Sequence, residues 1–318
     1  MSDFIKDKFN PFNSSRLFGL TDYLSNFINL YNKNKLPKVI LLTGEKGIGK
    51  FTMSFHLLNY IFSQKTKSLY DLDNFKINSE NFYYKKILSN VFENFIYINN
   101  GDQKKVSIED IRKIKITLSS APLTNIPRFT IIDDVERLNL NAANALLKII
   151  EEPSDINYFI LINNKKNSII ETLKSRSIET KIFLDKNRQE LILNNLVKLH
   201  NLESNSIFKF KKYATPGMLI SFAEIFNKLE ISKETSFYEK TSILLDEFKK
   251  NKNDIFLECI KFLIDINSSK ELEKNQSNII NVCNDKNNLI EIINQYRNFN
   301  LNKNTVLEYF KVHPDYVR

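Results

Sequence analysis

The run Val39-Ile40-Leu41-Leu42 passes straight into Thr43-Gly44-Glu45-Lys46-Gly47-Ile48-Gly49-Lys50-Phe51-Thr52. A short apolar strand feeding a loop with Gly44, Gly49 and Lys50 at G-x-x-x-x-G-K spacing leaves few folds open. With Gly47 between them, the glycines let successive backbone N–H groups wrap an anion, while the next helix points its N-terminus at it. Lys50 adds a point charge for outer phosphates. The position after that lysine ordinarily carries a hydroxyl for Mg²⁺, and here it is Phe51. A phenyl ring offers a hard cation no oxygen. Thr52 lies about 100° round the helix from the required direction. The loop is suited to holding a nucleotide and poorly suited to hydrolysing one.

Further apolar runs recur at Phe95–Ile98, Phe129–Ile132, Tyr158–Ile162 and Ile178–Leu184, separated by segments with helical spacing. Short apolar strands alternating with helices predict a parallel sheet covered on both faces. After the loop, Met53, Leu57, Leu58 and Ile61 form one apolar helical face. From Leu184 onward the pattern is helical, with Leu191, Leu193, Leu196, Val197 and Leu199 on a first helix. A turn at Tyr213–Gly217 precedes a helix over Met218–Phe226, and the polar stretch Leu229–Thr235 marks a boundary. Amphipathic helices follow over Tyr238–Phe248, Ile255–Ile266 and Ile279–Tyr296. The expected division is an α/β domain over 1–184, a small helical domain over 185–230 and a second helical domain over 231–318.

A length of 318 residues is enough for that division, and a net charge of +9 favours an acidic partner, nucleic acid first. An AT-rich coding sequence yields the same Lys and Asn usage, so charge alone does not make the chain a nucleic-acid binder. Cys259 and Cys283 form no C-x-x-C pair, which argues against a zinc site or a disulfide framework. The opening Met1–Lys8 lacks the apolar core of a signal peptide, and no run of 18 apolar residues occurs. The expected location is cytoplasmic.

Chemistry-bearing residues cluster at the ends of the apolar runs. Phe129–Ile132 ends in Asp133 and Asp134. In a P-loop ATPase the strand-end Asp holds Mg²⁺ and a following Glu positions water. Asp133 suits the first role, and Asp134 is a methylene short for the second. Asn139 can cap the helix Leu140–Ile150, and Pro153 ends it. Glu151 and Glu152 then sit where the helix dipole disfavours anions, which hints at a cationic partner, although two solvated glutamates are the simpler reading. Tyr158–Ile162 ends in the amides Asn163 and Asn164, which can lie beside a γ-phosphate. Ser175-Arg176-Ser177 follows.

These motifs give the sequence a specific resemblance. Ala142-Ala143-Asn144-Ala145-Leu146-Leu147-Lys148 with Glu151-Glu152-Pro153 is similar to the A-x-N-A-L-L-K-x-x-E-E-P signature of clamp-loader subunits in the AAA+ superfamily. Ser175-Arg176-Ser177 resembles their S-R-C motif, with Ser at the last place. Asn10-Pro11-Phe12 through Leu20, and Lys46–Lys50, look like the delta prime group of bacterial DNA polymerase III. The motifs cover roughly the first 220 residues.

The resemblance implies a RecA-like AAA+ parallel-sheet domain, a small helical lid domain and a C-terminal helical collar domain. Carried over, the S-R-C arginine falls on Arg176, which would complete the ATP site of a neighbouring subunit in trans. A lone Arg176 would instead pair with a local carboxylate such as Glu179, and an arginine awaiting a partner is expected to be mostly solvated. Implied partners are the gamma/tau and delta subunits, the sliding clamp and primer-template DNA, contacted without sequence preference. Lys104, Lys105, Arg112 and Lys113 are candidates for that contact.

Departures from an active ATPase point one way. Phe51 replaces the hydroxyl, Asp134 stands for Glu, and Met218 occupies the sensing-arginine place in Tyr213–Met218, which resembles the G-S-P-G-R lid motif. The degenerate nucleotide site then comprises Gly44, Gly47, Gly49, Lys50, Thr52, Asp133, Asp134, Asn163 and Asn164. No cofactor is required, weak ATP or ADP binding is allowed, and no metal is expected. The four-cysteine zinc module of many relatives is missing from Gln64–Asn94, which should pack instead through Leu69, Leu72, Phe75, Phe82 and Ile87. The competing readings are an active gamma/tau-type ATPase and, less favoured, a P-loop kinase.

Overall fold

The computed structural model describes residues 10–99, 106–119, 126–165, 167–202, 205–274 and 279–311. The chain divides into two units, Met1–Leu199 and His200–Arg318.

In the first unit the five apolar runs form strands β1 (Val39–Thr43), β2 (Phe95–Asn99), β3 (Arg128–Asp133), β4 (Asn157–Asn163) and β5 (Ile178–Lys181). They build one parallel sheet in the order β2-β3-β4-β1-β5. Side chains alternate between its faces, as a two-residue strand period requires. Ile40, Leu42, Phe129, Ile131, Ile160 and Ile162 enter one core. Leu41, Ile132, Phe159 and Leu161 enter the other.

The first core is covered by α1 (Thr21–Asn32), α2 (Lys50–Ser63) and α3 (Phe82–Leu88), and the second by α4 (Ile108–Ser119), α5 (Leu140–Ile150) and α6 (Glu171–Ser175). Arg128, buried at the start of β3, donates from Nη1 to the carbonyls of Thr117 and Leu118, fastening the end of α4 to the sheet. The helix α7 (Lys186–His200) closes the unit.

Two expectations need correction here. The apolar face predicted for α2 is too narrow: every residue of α2 except half-buried Thr52 is buried. Its polar side chains are satisfied locally, which makes such burial affordable. Ser54 Oγ donates to Lys50 O, Asn59 Nδ2 to Phe55 O and Ser63 Oγ to Tyr60 O. His56 sits 2.7 Å from Tyr70 Oη and 2.9 Å from Ser14 O. Burial lowers its pKa to about 4, which keeps the ring neutral.

Second, Leu69, Leu72 and Phe82 are exposed at 53%, 45% and 55%. Ile87 packs as expected, with Phe75 at the margin, and Tyr70, Ile77 and Tyr84 take the places of the other three. Asn81 selects that set: its side chain accepts from Tyr83 N and Tyr84 N and donates to Thr66 Oγ1 and Ser68 O.

The second unit consists of α8 (Pro216–Lys228), α9 (Phe237–Asn251), α10 (Ile255–Lys274), α11 (Ile279–Phe299) and α12 (Lys303–Lys311). Pro216 opens α8 at the first turn, and Ser236 with Glu239 closes a capping box on α9. Phe222 packs on Phe262, Phe237 on Phe310 and Phe248 on Tyr296, at centroid distances of 5.0, 5.4 and 5.8 Å. No described helix is long and apolar enough to cross a membrane.

Candidate functional site

Strands β1, β3 and β4 end side by side, so Thr43, Asp133 and Asn163 meet at the carboxyl edge of the sheet, where open α/β folds place ligands. The loop from Gly44 to Gly49 crosses this edge. Gly47 and Gly49 hold left-handed backbone at φ 82° and 95°. A Cβ at Gly44 would lie 2.6 Å from Ile182 O and 2.7 Å from Ile48 Cδ1. Glycine is therefore needed at these positions for conformation or for space.

Lys50 is 3% exposed, and its ammonium donates to the carbonyls of Gly44 at 2.8 Å and Glu45 at 2.6 Å. Burial lowers its pKa to about 8, against the opposing pull of Asp133, Glu136 and Asp134. The loop is closed by its own lysine.

The carboxylates are closed as well. Asn164 Nδ2 donates to Asp133 Oδ1 at 2.9 Å and Asp134 Oδ1 at 2.5 Å, and Asn164 N donates to Glu136 Oε1 at 3.1 Å. Asp134 N–H also donates to Asp133 Oδ1. Asp134 is 2% exposed in left-handed backbone (φ 52°), with Arg137 3.8 Å away. Desolvation, reinforced by Asp134, raises Asp133 to about 6. Asn163 turns to its own loop, Oδ1 accepting from Lys165 N.

Phe51 faces an aromatic cluster. Its ring lies 4.8 Å from Phe12, 4.7 Å from Tyr97 and 5.9 Å from Phe55. The residue that displaces the hydroxyl is thus part of the core, and Phe12 of the Asn10-Pro11-Phe12 motif is its partner. Asn10 fixes that motif by accepting from Phe12 N.

Arg176 lies elsewhere, at the C-cap of α6. Its Nε and Nη2 donate to Glu151 Oε1 at 2.9 and 2.6 Å, and Nη1 to Thr172 O at 3.4 Å. Glu151 is itself the C-cap of α5. The two side chains are 37% and 50% exposed. The local partner is therefore Glu151, not Glu179, and the arginine is exposed but held. The hint of a cation at the end of α5 is answered within the same chain. Ser175 Oγ donates to Thr172 O, and Ser177 Oγ to Leu173 O and Lys174 O, securing the turn around Arg176.

A model of the family described as DNA polymerase III, delta subunit matches residues 19–187. The chain belongs to that family. It is 26% identical over 293 residues to a DNA polymerase III subunit delta' of Buchnera aphidicola subsp. Baizongia pistaciae, covering 84% of each. A DNA polymerase III subunit gamma of Buchnera aphidicola subsp. Schizaphis graminum matches at 25% over 266 residues, 83% of this chain and 70% of that one. A DNA polymerase III gamma subunit-related protein of Thermotoga maritima shares the fold with a TM-score of 0.52 at 19% identity, over 92% of this chain and 99% of that structure. The delta prime resemblance read from the motifs stands: this is a clamp-loader subunit with an AAA+ fold.

A loop of this spacing ordinarily serves a nucleotide and its Mg²⁺, and the two fit this chain unequally. A phosphate suits the loop, because the first turn of α2 carries no side-chain cap and the glycines have the required backbone. Lys50 would have to exchange its two carbonyls for it. A magnesium ion does not suit the donor set. Phe51 is committed to the core, Thr52 is half-buried on another side of α2, and Asn164 occupies Oδ1 of both Asp133 and Asp134. Among the described residues, no group of three or more His, Cys, Asp or Glu could hold a metal. Sequence reasoning missed Glu136, Lys165 and the bridge made by Asn164. The Asp-Asp-x-Glu spacing was the available signal for Glu136.

Proposed function

We propose that the chain is the delta prime-like stator of a clamp loader: it serves a neighbouring ATPase with Arg176 and hydrolyses little or no ATP itself. The observation carrying this reading is the pair of closed contacts at the carboxyl edge of the sheet, where the carbonyls of Gly44 and Glu45 hold Lys50 and Asn164 bridges Asp133 and Asp134, beside a buried Phe51. Metal-assisted phosphoryl transfer needs oxygen ligands and a charge-stabilising lysine, and here both are otherwise engaged. Arg176 supports the second half of the reading. A planar fork of donors suits a phosphoryl group gaining charge in the transition state.

In this proposal residues 1–184 form the AAA+ domain, 185–230 a lid and 231–318 a collar that assembles with gamma/tau and delta subunits in the cytoplasm. The assembled loader places a sliding clamp on primer-template DNA. The nucleic-acid contact is to phosphates and carries no sequence preference. Arg112 and Lys113 are exposed on α4 and remain candidates for it, while Lys104 and Lys105 lie outside the described residues. An active gamma-type motor is the competing reading.

ATP turnover by the isolated chain separates the two. The stator shows negligible Mg²⁺-dependent hydrolysis. Turnover of about 1 s⁻¹, abolished by Lys50→Ala, would overturn the proposal.

A further inference from the structure

We propose that Glu151 is a positioning residue for Arg176, holding the guanidinium by one edge so that its remaining donors are set for a phosphate on another subunit. This rests on the reading of Arg176 as an arginine that acts in trans. A carboxylate at the C-cap of α5 faces the negative end of that helix and is unfavourable there unless a cation compensates it. Arg176 supplies the cation from the C-cap of α6, so two helix ends and one carboxylate converge on a single guanidinium.

The bonding pattern separates positioning from sequestration. One oxygen, Oε1, takes both Nε–H and one Nη2–H, and Nη1 reaches Thr172 O. Arginine has five N–H donors. Three are used, and two remain. A carboxylate that sequestered the arginine would spread both oxygens along its fork. Here the contact fixes the side chain and leaves donors over, which removes rotamer entropy before the phosphate arrives. An ion pair this exposed adds little to the stability of the fold, so folding is a weak reason for its presence.

The test uses clamp loaders reconstituted with the ATPase subunits and this chain as Glu151→Ala, Glu151→Gln, Glu152→Ala, Arg176→Ala or Glu151→Ala/Arg176→Ala. Steady-state ATPase is measured across ATP concentration, and thermal melting of each isolated chain controls for folding. Glu151→Ala should lower kcat at the adjoining site about three- to ten-fold with KM within about twofold, because a loosened arginine costs orientation in the transition state. Glu151→Gln keeps an acceptor oxygen and should recover most of the rate. Glu152→Ala, which removes a charge next door, should match wild type. On the Arg176→Ala background, Glu151→Ala should add nothing further. A wild-type or raised kcat for Glu151→Ala, or a further loss on that background, overturns the positioning role. Wild-type rates for Arg176→Ala would remove the trans-acting reading and this one with it. A slow Arg176→Ala beside a normal Glu151→Ala removes this one alone.

Discussion

The carboxyl edge of the sheet and the tip of α6 hold two sets of charged groups that are treated in opposite ways. At the sheet edge Lys50 and Asp134 are 3% and 2% exposed, and hydrogen bonds join the local donors to local acceptors. At the helix tip Arg176 stays exposed and keeps donors in reserve. Buried polar groups must be paired where they stand, whereas an exposed guanidinium can wait, with water in place of its partner. On the proposed reading, a subunit without chemistry of its own can bury and cross-link its site, while a group meant for a neighbour must remain at the surface.

That contrast can be broken most forcefully at Phe51. Phe51→Thr restores the missing hydroxyl but empties a position ringed by Phe12, Phe55 and Tyr97. It should cost about 2–4 kcal/mol of unfolding free energy in urea titration and should not bring back hydrolysis. A stable, hydrolysing Phe51→Thr would mean that the site is one substitution from activity.

A smaller effect is expected at Asp133, and it depends on pH. Its folded pKa is raised from 3.8 to about 6, so the fold penalises the ionised form. The penalty is absent below the unfolded value, develops between the two, and is complete above the folded value. Asp133→Asn keeps an oxygen for Asp134 N–H and Asn164. It should therefore be more stable than wild type at neutral pH by about 1–3 kcal/mol, with the gain vanishing near pH 4. Melting curves across that range check it, and a gain that grows on acidification would contradict the assigned direction. His56, lowered to about 4, works oppositely: it leaves wild type and variant alike less stable as pH falls below its unfolded value of 6.5.

The smallest effect belongs to the open region. Arg176→Ala in the isolated chain should change stability by less than about 1 kcal/mol, as for an exposed ion pair. A loss several times larger would make the arginine a structural residue.

Much of this architecture was legible in the sequence. Each apolar run contains a strand, because continuous β-branched stretches between helical segments suit a sheet covered on both faces, although the run read as Ile178–Leu184 pairs only over Ile178–Lys181. The full burial of α2 was not legible. Periodicity counts His56, Asn59 and Ser63 as polar and cannot know that Tyr70 Oη and nearby carbonyls satisfy them. Leu69, Leu72 and Phe82 misled for the converse reason: hydrophobicity alone ignores the capping of α3 by Asn81, which turns Tyr84 and Ile87 inward. At the site, Phe51 announced the lost hydroxyl, and Glu151 at a helix end hinted at a cation, although two solvated glutamates were the simpler reading. Neither showed that Asn164 spans two aspartates or that Arg176 is the cation, because both facts depend on strand and helix ends distant in sequence.

The most direct measurement is ATP turnover and clamp loading by a reconstituted complex in which this chain alone carries Arg176→Ala. A trans-acting arginine predicts at least a tenfold loss of kcat at the one adjoining ATP site, as expected when a transition-state charge contact is removed. KM should be nearly unchanged, loading slower, and Arg176→Lys little better because a point charge does not reproduce the fork. Wild-type turnover and loading by the Arg176→Ala complex at every ATP concentration would contradict the account.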